Sequence, residues 1–524
     1  MIPVAKSGSM NVSLVRGALV SPRGSINNEP TPPIGLAYIA AALRDRGWRI
    51  QGIDATGQAL NRVEDISGTG LQANGISIEE VVEQIDPAAE VIGVSVMFSH
   101  EWLYQRRLLT AIKRRFPRAL LVAGGEHCTA LAEYSLSDCP GLDCIALGEG
   151  EETMVDLCGA VAAGADLCSV AGLVLRRDGH TVRTAPRARI RAVDELPWPD
   201  WDSFPIEPYL ANNISFGASF GRNMPILASR GCPYQCTFCS NPAMWTTRYL
   251  IRSTANVIAE IEHYRARFNI SGLQFYDLTA IVKKQWIVEF CQQLVARGIT
   301  LDWSLPSGTR SEALDEEALS WIARANGKYL VYAPESGSVA TLKRIKKKIR
   351  LDHMYRSMRA AVQRGIVVRT NIIIGFPDET RREIWTTLWA LARFAWIGVD
   401  EIALGLFQPY PGTELFEGLK AHGMIRLDDD YFEMLAHFST GKVSPATASV
   451  CAAVGRYELF CYRLLGTLLF LVLSYALRPA RIWRTIHNIA FTDRSATVIE
   501  QRLRDRVRRL RAVFRARPVP AARE

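Results

Sequence analysis

The stretch Cys232-Pro-Tyr-Gln-Cys-Thr-Phe-Cys239 places three of the chain's eleven cysteines within eight residues. It directly follows an apolar segment that predicts a β-strand, Pro225–Ser229. Structural zinc usually takes two CxxC-type pairs, and the sequence has no second pair nearby. Iron–sulfur clusters normally bind four cysteine thiolates, so a cluster held by three leaves one iron open to a substrate or cofactor. The triplet therefore favours a catalytic iron–sulfur cluster, with zinc and unreactive thiols as the alternatives.

The strand before the triplet opens a series of six βα units. The predicted strands are Pro225–Ser229, Gly272–Tyr276, Thr300–Leu305, Tyr329–Ala333, Val367–Ile374 and Glu401–Phe407. Amphipathic helical patterns fill the gaps between them. Six such units in residues 223–420 predict an incomplete parallel barrel, a partial (β/α)6 fold, whose ligands bind at the C-terminal ends of the strands. The triplet lies at one of these ends.

Another α/β unit precedes this barrel, in residues 12–190. Its predicted strands are Ser13–Val20, Arg49–Ile53, Val91–Val96, Ala119–Ala123 and Asp143–Leu147. Strands alternating with helices predict a doubly wound, Rossmann-like parallel sheet with ligands beyond its carboxyl ends. Residues 191–222 then predict a linker, because Glu195–Tyr209 carries four prolines and no regular apolar period.

Composition and charge set the broad class of the protein. The chain has 524 residues, of which 48% are hydrophobic and 22% charged, which excludes a largely disordered chain, a collagen-like fibre and a polytopic membrane protein. An odd number of cysteines argues against a disulfide scaffold and favours a reducing compartment. Met1–Met10 shows no apolar core of a signal peptide. We therefore expect a cytoplasmic protein.

The C-terminal residues 421–524 predict a mainly helical region with two special features. Leu464–Leu477 is an apolar run of fourteen residues, about 21 Å as a helix and shorter than the roughly 30 Å core of a bilayer. Twelve arginines against three acids follow between Arg478 and Arg517. The run is interpreted as a buried helix, as an interfacial helix anchored to anionic headgroups by this basic tail, or as a membrane span.

The residues of the barrel resemble one enzyme family. The triplet, with Phe238 before its last cysteine, resembles the signature of the radical S-adenosylmethionine (SAM) enzymes. Ala333–Ser338, Ile374–Thr380 and Gln408–Leu415 resemble its later strand-end motifs. The resemblance implies that Cys232, Cys236 and Cys239 bind a 4Fe-4S cluster. It also implies SAM contacts from Phe238, Arg310, Glu335, Ser336 and Gly375, and a substrate side with the catalytic candidates Tyr276 and Asp277.

The first unit resembles the cobalamin-binding domain found in one branch of that family. The matching segments are Pro32–Ile39, Gly93–Ser95, Gly124–His127 and Gly148–Glu152. The resemblance implies cobalamin contacts from Pro33, Gly35, Ser95, Gly124, Gly125, Gly148 and Gly150. Two departures stand out. The DxHxxG motif that supplies a lower cobalt ligand in many cobalamin proteins is absent, and the segment Tyr276–Ala280 carries one acid where the family usually has two.

The combined resemblance implies a cobalamin-dependent radical SAM C-methyltransferase, acting on an unactivated carbon of a small-molecule or lipid-like substrate. An external one-electron donor such as a flavodoxin or ferredoxin would reduce the cluster. A radical cyclase or oxidoreductase with the same cofactors is one alternative, and a non-catalytic cobalamin or iron–sulfur sensor is another. No recognisable RNA-binding domain is present, so no nucleic-acid partner is expected. Peripheral membrane contact through the C-terminal region is a further expectation.

Overall fold

The computed structural model describes residues 10–25, 30–439, 449–492, 495–504 and 507. The first α/β unit contains the strands β1 (Asn11–Arg16), β2 (Leu19–Pro22), β3 (Arg49–Asp54), β4 (Val63–Asp65), β5 (Leu71–Asn74), β6 (Val91–Ser95), β7 (Leu120–Gly124), β8 (Cys144–Ala146), β9 (Leu173–Arg177) and β10 (His180–Arg183). Its helices, with one helix after the unit, are α1 (Ile34–Arg44), α2 (Ala55–Gln58), α3 (Ile78–Gln84), α4 (Trp102–Arg115), α5 (Glu126–Ala130), α6 (Ala132–Asp138), α7 (Gly150–Ala163) and α8 (Glu207–Ala211).

The main sheet of this unit has the order β10-β9-β8-β7-β6-β1-β3. Its strands from β8 to β3 are parallel, which confirms the predicted doubly wound sheet. The strand order reverses between β1 and β6, because the chain passes from β1 to β3 on one side and returns to β6 on the other. In open α/β sheets this reversal creates the crevice where ligands bind.

Two parts of the unit differ from the expected pattern. The segment Ser13–Val20 is not one strand. It divides at Gly17 and Ala18 into β1 and β2, and β2 pairs with β5 in a separate antiparallel sheet that also contains β4. The strands β9 and β10 form an additional hairpin at the sheet edge. Its turn residues Asp178 and Gly179 both have positive φ, which suits a tight two-residue turn.

The barrel contains the strands β11 (Asn223–Ile226), β12 (Ser229–Arg230), β13 (Leu250–Ile251), β14 (Gly272–Phe275), β15 (Asp302–Thr309), β16 (Gly327–Glu335), β17 (Val367–Ile374) and β18 (Glu401–Leu406). Its helices are α9 (Asn241–Trp245), α10 (Thr254–Phe268), α11 (Lys284–Ala296), α12 (Glu316–Arg324), α13 (Val339–Arg344), α14 (Leu351–Gln363), α15 (Arg381–Ile397) and α16 (Glu414–Ala421). Six parallel strands follow the order β11-β14-β15-β16-β17-β18, which confirms the partial (β/α)6 barrel.

The predicted linker is held firmly against the first unit. Tyr209, on α8, is buried, and its hydroxyl donates a hydrogen bond of 2.7 Å to Asp54. The same hydroxyl accepts one of 3.0 Å from Arg16. Asp54 and Arg16 end the paired strands β3 and β1. The proline-containing segment therefore anchors to the sheet end that faces the barrel.

Three further helices follow the barrel: α17 (Asp429–Ser439), α18 (Arg456–Leu477) and α19 (Ala480–Phe491). The apolar run Leu464–Leu477 is the C-terminal part of α18, which packs against α15 and β18. Gly466 permits this close approach, because a β-carbon there would lie 2.7 Å from Leu388 and 2.8 Å from Leu404. By length and composition α18 would suffice to cross a membrane. Of its most apolar 18 residues, 28% are buried inside the protein. The protein core thus covers only one side of this helix.

Candidate active site

The cysteine triplet occupies the loop between β12 and α9, at the C-terminal end of the first barrel strand. Cys232, Cys236 and Cys239 are half-buried free thiols. The loop is ordered by local bonds, since the backbone amide of Cys239 donates to the carbonyl of Cys236. The Thr279 hydroxyl lies 3.6 Å from the Cys232 sulfur. Burial raises the pKa of Cys236, and it raises that of Cys239 to about 12. Thiolates here therefore need a positive partner such as a metal cluster.

The donor set bears on which of the two kinds of metal site this is. Within the described ranges, no three His, Cys, Asp or Glu side chains converge closely enough to hold one metal ion. Tetrahedral zinc requires such convergence at about 2.3 Å per sulfur. In a polynuclear cluster each thiolate binds a different iron, so the sulfurs stand farther apart. Three cysteine thiols in one short loop therefore fit an iron–sulfur cluster with one open iron better than tetrahedral zinc.

Charged and aromatic side chains surround the triplet. The Arg310 guanidinium lies 3.8 Å from the ring centroid of Tyr234, inside the loop. Glu335 has a left-handed φ of 67° at the end of β16, and its carboxylate pairs with Lys347 at 2.9 Å. Both of these paired side chains are largely shielded from solvent. These contacts place Arg310 and Glu335, two of the expected SAM-binding residues, beside the cysteines.

Lys347 was not expected from the sequence. Burial works against its charged form, but Glu335 and the Cys236 thiol together raise the pKa of Lys347 above its usual value. Its ammonium also lies 5.9 Å from the ring of Phe238. The available signal was the run Lys346-Lys347-Lys348, which does not reveal which lysine points inward.

The predicted residues Phe238 and Gly375 lie near each other, because Phe238 packs against Phe376. The Phe238 ring lies 5.8 Å from the ring of Phe376, the neighbour of Gly375. Gly375 has a φ of 86°, and its amide donates a 2.7 Å hydrogen bond to Glu379. A β-carbon at Gly375 would lie 2.9 Å from Leu459. The tight turn after β17 therefore depends on glycine.

Two predicted site residues, Ser336 and Asp277, have side chains that are buried and hydrogen-bonded to other parts of the protein. Ser336 is fully buried, and its hydroxyl is 2.9 Å from that of Thr387 and accepts the Ser338 amide. Asp277, a catalytic candidate, is also engaged within the fold. Its buried carboxylate accepts hydrogen bonds from the amide of Ala228 and from the amide and hydroxyl of Ser229. The Asp277 side chain points toward β12, the strand that leads into the triplet. Its carboxylate oxygens are therefore occupied by these hydrogen bonds.

A cavity of about 410 Å³ lies between the first sheet and the barrel. Its walls include all seven residues expected to contact cobalamin, which are Pro33, Gly35, Ser95, Gly124, Gly125, Gly148 and Gly150. The barrel side is closed by Phe216, Met244, Trp245, Tyr276 and Ser307. The cavity sits where the strand order reverses, the usual ligand position in such sheets. Tyr276 lines this space, and Asp277 is not among its lining residues.

Glycines shape the wall of the cavity. Gly125 has a φ of 116°, and a β-carbon there would lie 2.6 Å from the carbonyl oxygen of Val96. A β-carbon at Gly35 would meet no atom within 4 Å. The first glycine is required by the turn, and the second leaves room for a ligand. The volume falls in the range of cofactor pockets, so the site fits the binding of part of a large cofactor.

His127 ends one of the segments that resemble a cobalamin-binding domain, but its side chain is buried and cannot act as an exposed metal ligand. Its buried ring is 3.0 Å from the Ser99 hydroxyl and 3.1 Å from the Ser135 hydroxyl, and stacks on Trp102. Burial lowers the pKa of His127 to about 3, so the ring is neutral. No histidine appears among the described residues that line the cavity.

An ion network connects the cavity to the triplet. Arg230, two residues before Cys232, is buried and pairs with Glu149 at 3.1 Å and Glu151 at 2.5 Å. Both acids line the cavity. The Arg230 guanidinium also lies over the ring of Tyr38. Burial alone would lower the pKa of Arg230, but the negative charges of Glu151 and Glu149 outweigh it, and the pKa is raised above its usual value.

Comparison with known proteins identifies both halves. Residues 28–158 match the B12-binding domain, and residues 226–389 match the radical SAM superfamily. An uncharacterized methyltransferase of Pyrococcus horikoshii is 27% identical over 421 residues, covering 79% of this chain and 85% of that protein. The anaerobic magnesium-protoporphyrin IX monomethyl ester cyclase of Rubrivivax gelatinosus is 26% identical, covering 74% of this chain and 66% of the cyclase.

The fold has a counterpart among solved structures. The cobalamin-dependent SAM radical enzyme OxsB, solved with aqua-cobalamin and SAM bound, superposes with a TM-score of 0.65 at 15% identity. The superposition covers 96% of this chain and 75% of that one. The two chains therefore share their architecture across both α/β units.

Proposed function

The chain is a radical SAM enzyme with a B12-binding domain, and we propose that it is a cobalamin-dependent C-methyltransferase. The observation that carries the proposal is the pairing of Arg230 with Glu149 and Glu151. It joins the triplet loop to the wall of a cavity in the B12-binding domain. Methyl transfer between two cofactors requires such fixed placement, because orientation contributes much of the rate.

We propose that Cys232, Cys236 and Cys239 hold a 4Fe-4S cluster. When bound, the cluster supplies the electron that cleaves SAM, and cobalamin carries the methyl group. The chain's own residues bind and orient SAM. Arg310 offers a cation that matches a carboxylate, and Glu335 offers a carboxylate that matches an amine or hydroxyl. The Lys347 charge neutralises Glu335 until the ligand arrives.

The aromatic side of the SAM site is formed by Phe238 and the turn at Gly375. These residues present an aromatic ring beside a fixed turn, which suits a flat adenine. Ser336 holds the turn after β16 against α15 through Thr387. Its proposed role is therefore positioning.

We propose that the seven cavity residues hold cobalamin. The glycines let the backbone approach the cofactor, and the mostly apolar wall excludes water from it. Tyr276 stands on the barrel side of the cavity, with its ring packed edge-on to Phe216 at 6.4 Å. From there its hydroxyl can contact a substrate between the two cofactors. Asp277 holds β12, and with it the start of the triplet loop.

The substrate is proposed to be a small molecule or a lipid-like compound, and the electrons to come from an external flavodoxin or ferredoxin. We propose a cytoplasmic enzyme that makes peripheral membrane contact. A radical cyclase is the second candidate, favoured by the similarity to the protoporphyrin cyclase. A non-catalytic sensor is disfavoured, because Arg310, Glu335 and Lys347 gather beside the cysteines.

Anaerobic reconstitution with iron, sulfide and cobalamin tests the proposal. The wild-type protein is expected to bind iron and cobalamin and to convert SAM to deoxyadenosine. Cys236→Ala should lose this cleavage, while the exposed Cys461→Ala should retain it. Equal cleavage by Cys236→Ala and wild type would contradict the cluster assignment. A product heavier by one methyl group supports a methyltransferase, and a product without it supports the cyclase.

A further inference from the structure

Helix α19 has its amphipathic faces reversed relative to an ordinary surface helix. Its arginines point toward the protein. Arg481 donates to the carbonyls of Gly398 and Val399, at 2.6 and 2.9 Å, and pairs with Asp400 at 3.2 Å. Arg484 pairs with Asp400 at 3.0 Å. The large apolar side chains on the same helix are exposed, and they are Ile482, Trp483, Ile486 and Phe491.

Helices α15 and α18 extend this exposed apolar surface. They lie side by side, because Arg381 pairs with Glu458 near their N-termini and Arg478 donates to the carbonyl of Ala395 near their C-termini. Trp389 and Trp396 of α15 are each 69% exposed. On α18 the exposed residues include Leu464, Leu468 and Val472. We call the exposed apolar side chains of α15, α18 and α19 the apolar face.

Soluble monomers rarely expose a contiguous apolar surface of this kind without a function. The composition of the face indicates its partner. Arg481 and Arg484 are engaged by Asp400, so the excess positive charge is that of the sequence after α19, where residues 494–517 hold nine arginines and two acids. Tryptophan is enriched where hydrocarbon meets headgroups, and arginine is attracted to anionic lipid. Both properties match the surface of an anionic bilayer.

Helix α18 packs in a way that favours a position on the bilayer surface over a position across the bilayer. Leu459, Gly466, Phe470 and Ser474 form its buried side, and Gly466 contacts both α15 and β18. Insertion across the membrane would strip this side from the barrel. An interfacial position leaves these contacts intact and buries only the outward side chains.

We propose that the apolar face binds an anionic phospholipid bilayer, and that the arginine-rich tail only assists. The test uses the full chain and sedimentation with vesicles of phosphatidylcholine alone or mixed three to one with phosphatidylglycerol. The wild type should bind the mixed vesicles. Replacing Trp389, Trp396 and Trp483 together with glutamine should lower the partition coefficient about tenfold or more. These side chains are mostly exposed, so the circular dichroism melting curve should be unchanged.

A matched control changes exposed apolar residues elsewhere, with Val295→Gln on α11 and Met424→Gln after α16. This variant should bind vesicles like the wild type. A variant with Arg508, Arg509, Arg511, Arg515 and Arg517 replaced by glutamine should lose less binding than the tryptophan variant.

Three results would overturn the proposal. In the first, the tryptophan variant binds as well as the wild type. In the second, only the arginine variant loses binding, which would assign the contact to the tail alone. In the third, light scattering shows a wild-type dimer that the tryptophan variant dissociates, while neither protein binds vesicles. The apolar face would then bind a second copy of the chain.

Discussion

The Arg230 guanidinium lies 2.5 Å from the Glu151 carboxylate, in a buried ion pair between the barrel and the B12-binding domain. Glu149 is its second partner, at 3.1 Å. Glu151 is 79 residues earlier in the chain. The pair joins the start of the cysteine loop to the start of α7. The pair is thus one of several contacts, with Ser99–Tyr410 and Glu126–Ser240, that set the positions of the two proposed cofactors relative to each other.

Replacement of Arg230 with methionine should destabilise the protein strongly. The substitution leaves the buried Glu151 carboxylate without a cation, while Glu149 keeps its pair with Arg189 at 2.6 Å. Breaking a buried pair in this way costs about 3–5 kcal/mol of unfolding free energy. Urea denaturation of variant and wild type measures this loss of unfolding free energy. Arg222→Met is the control, because its ion pair with Glu207 is more exposed and should contribute about 1 kcal/mol or less. Similar losses in both variants would contradict the importance of the buried network.

The sequence predicted repeating features well and long-range pairings poorly. The strand at Val367–Ile374 was placed correctly because alternating residues are buried on one face. The glycines of the cavity were found because they follow strand ends in recognisable motifs. Arg230 was missed because its partners are remote in sequence. The hydrogen bonds of Asp277 to β12 could not be predicted, because the side to which a residue points after a strand ends depends on local turns, which periodicity does not define.

Filling the cavity at Gly35 should prevent cobalamin binding without unfolding the protein. Gly35 lines the cavity, and a β-carbon there meets no atom within 4 Å. Gly35→Leu therefore places its side chain in the space proposed for cobalamin, and cobalamin affinity should fall at least about tenfold. Iron content should stay normal, because the cysteine loop is untouched. Absorbance titration of the reconstituted protein measures both.

Gly159→Leu is the matched control for this substitution. Gly159 is also a helical glycine with no atom within 4 Å of a β-carbon, but it lies outside the cavity. Its leucine variant should bind cobalamin like the wild type. If Gly35→Leu retained full cobalamin affinity, the cavity would not be the binding site.

Glu101 should make stability fall as the pH rises from about 4.5 to 7. Burial, opposed in part by Arg16 and by hydrogen bonds, raises the pKa of Glu101 from 4.5 to about 7. In that range the folded protein retains a proton that the unfolded chain has lost, so the unfolding free energy declines by roughly 3 kcal/mol. Glu101→Gln should remove this part of the slope and be more stable than the wild type at pH 8.

Urea denaturation at a series of pH values gives the difference between variant and wild type. The exposed Glu83→Gln serves as the control and should follow the wild-type slope. The prediction fails if Glu101→Gln and wild type show parallel curves from pH 4.5 to 8.

The neighbouring lysines 346 and 347 provide the sharpest test of the SAM site. Lys347 pairs with Glu335 at 2.9 Å in a shielded position beside the triplet, whereas Lys346 pairs with Glu414 at 2.6 Å on the surface. Lys347→Met leaves the Glu335 carboxylate unpaired near the thiols, and the rate of deoxyadenosine formation should fall at least about tenfold, or 1.4 kcal/mol. Lys346→Met should change it less than about twofold, because exposed pairs contribute little. The unpaired carboxylate of Lys347→Met should also lower the iron content of the reconstituted protein. Adding Glu335→Gln removes that unpaired charge, so the double variant should regain the lost iron. Equal rates in the two single variants would mean that Lys347 does not act on the SAM site, since only its burial and its partner distinguish it from Lys346.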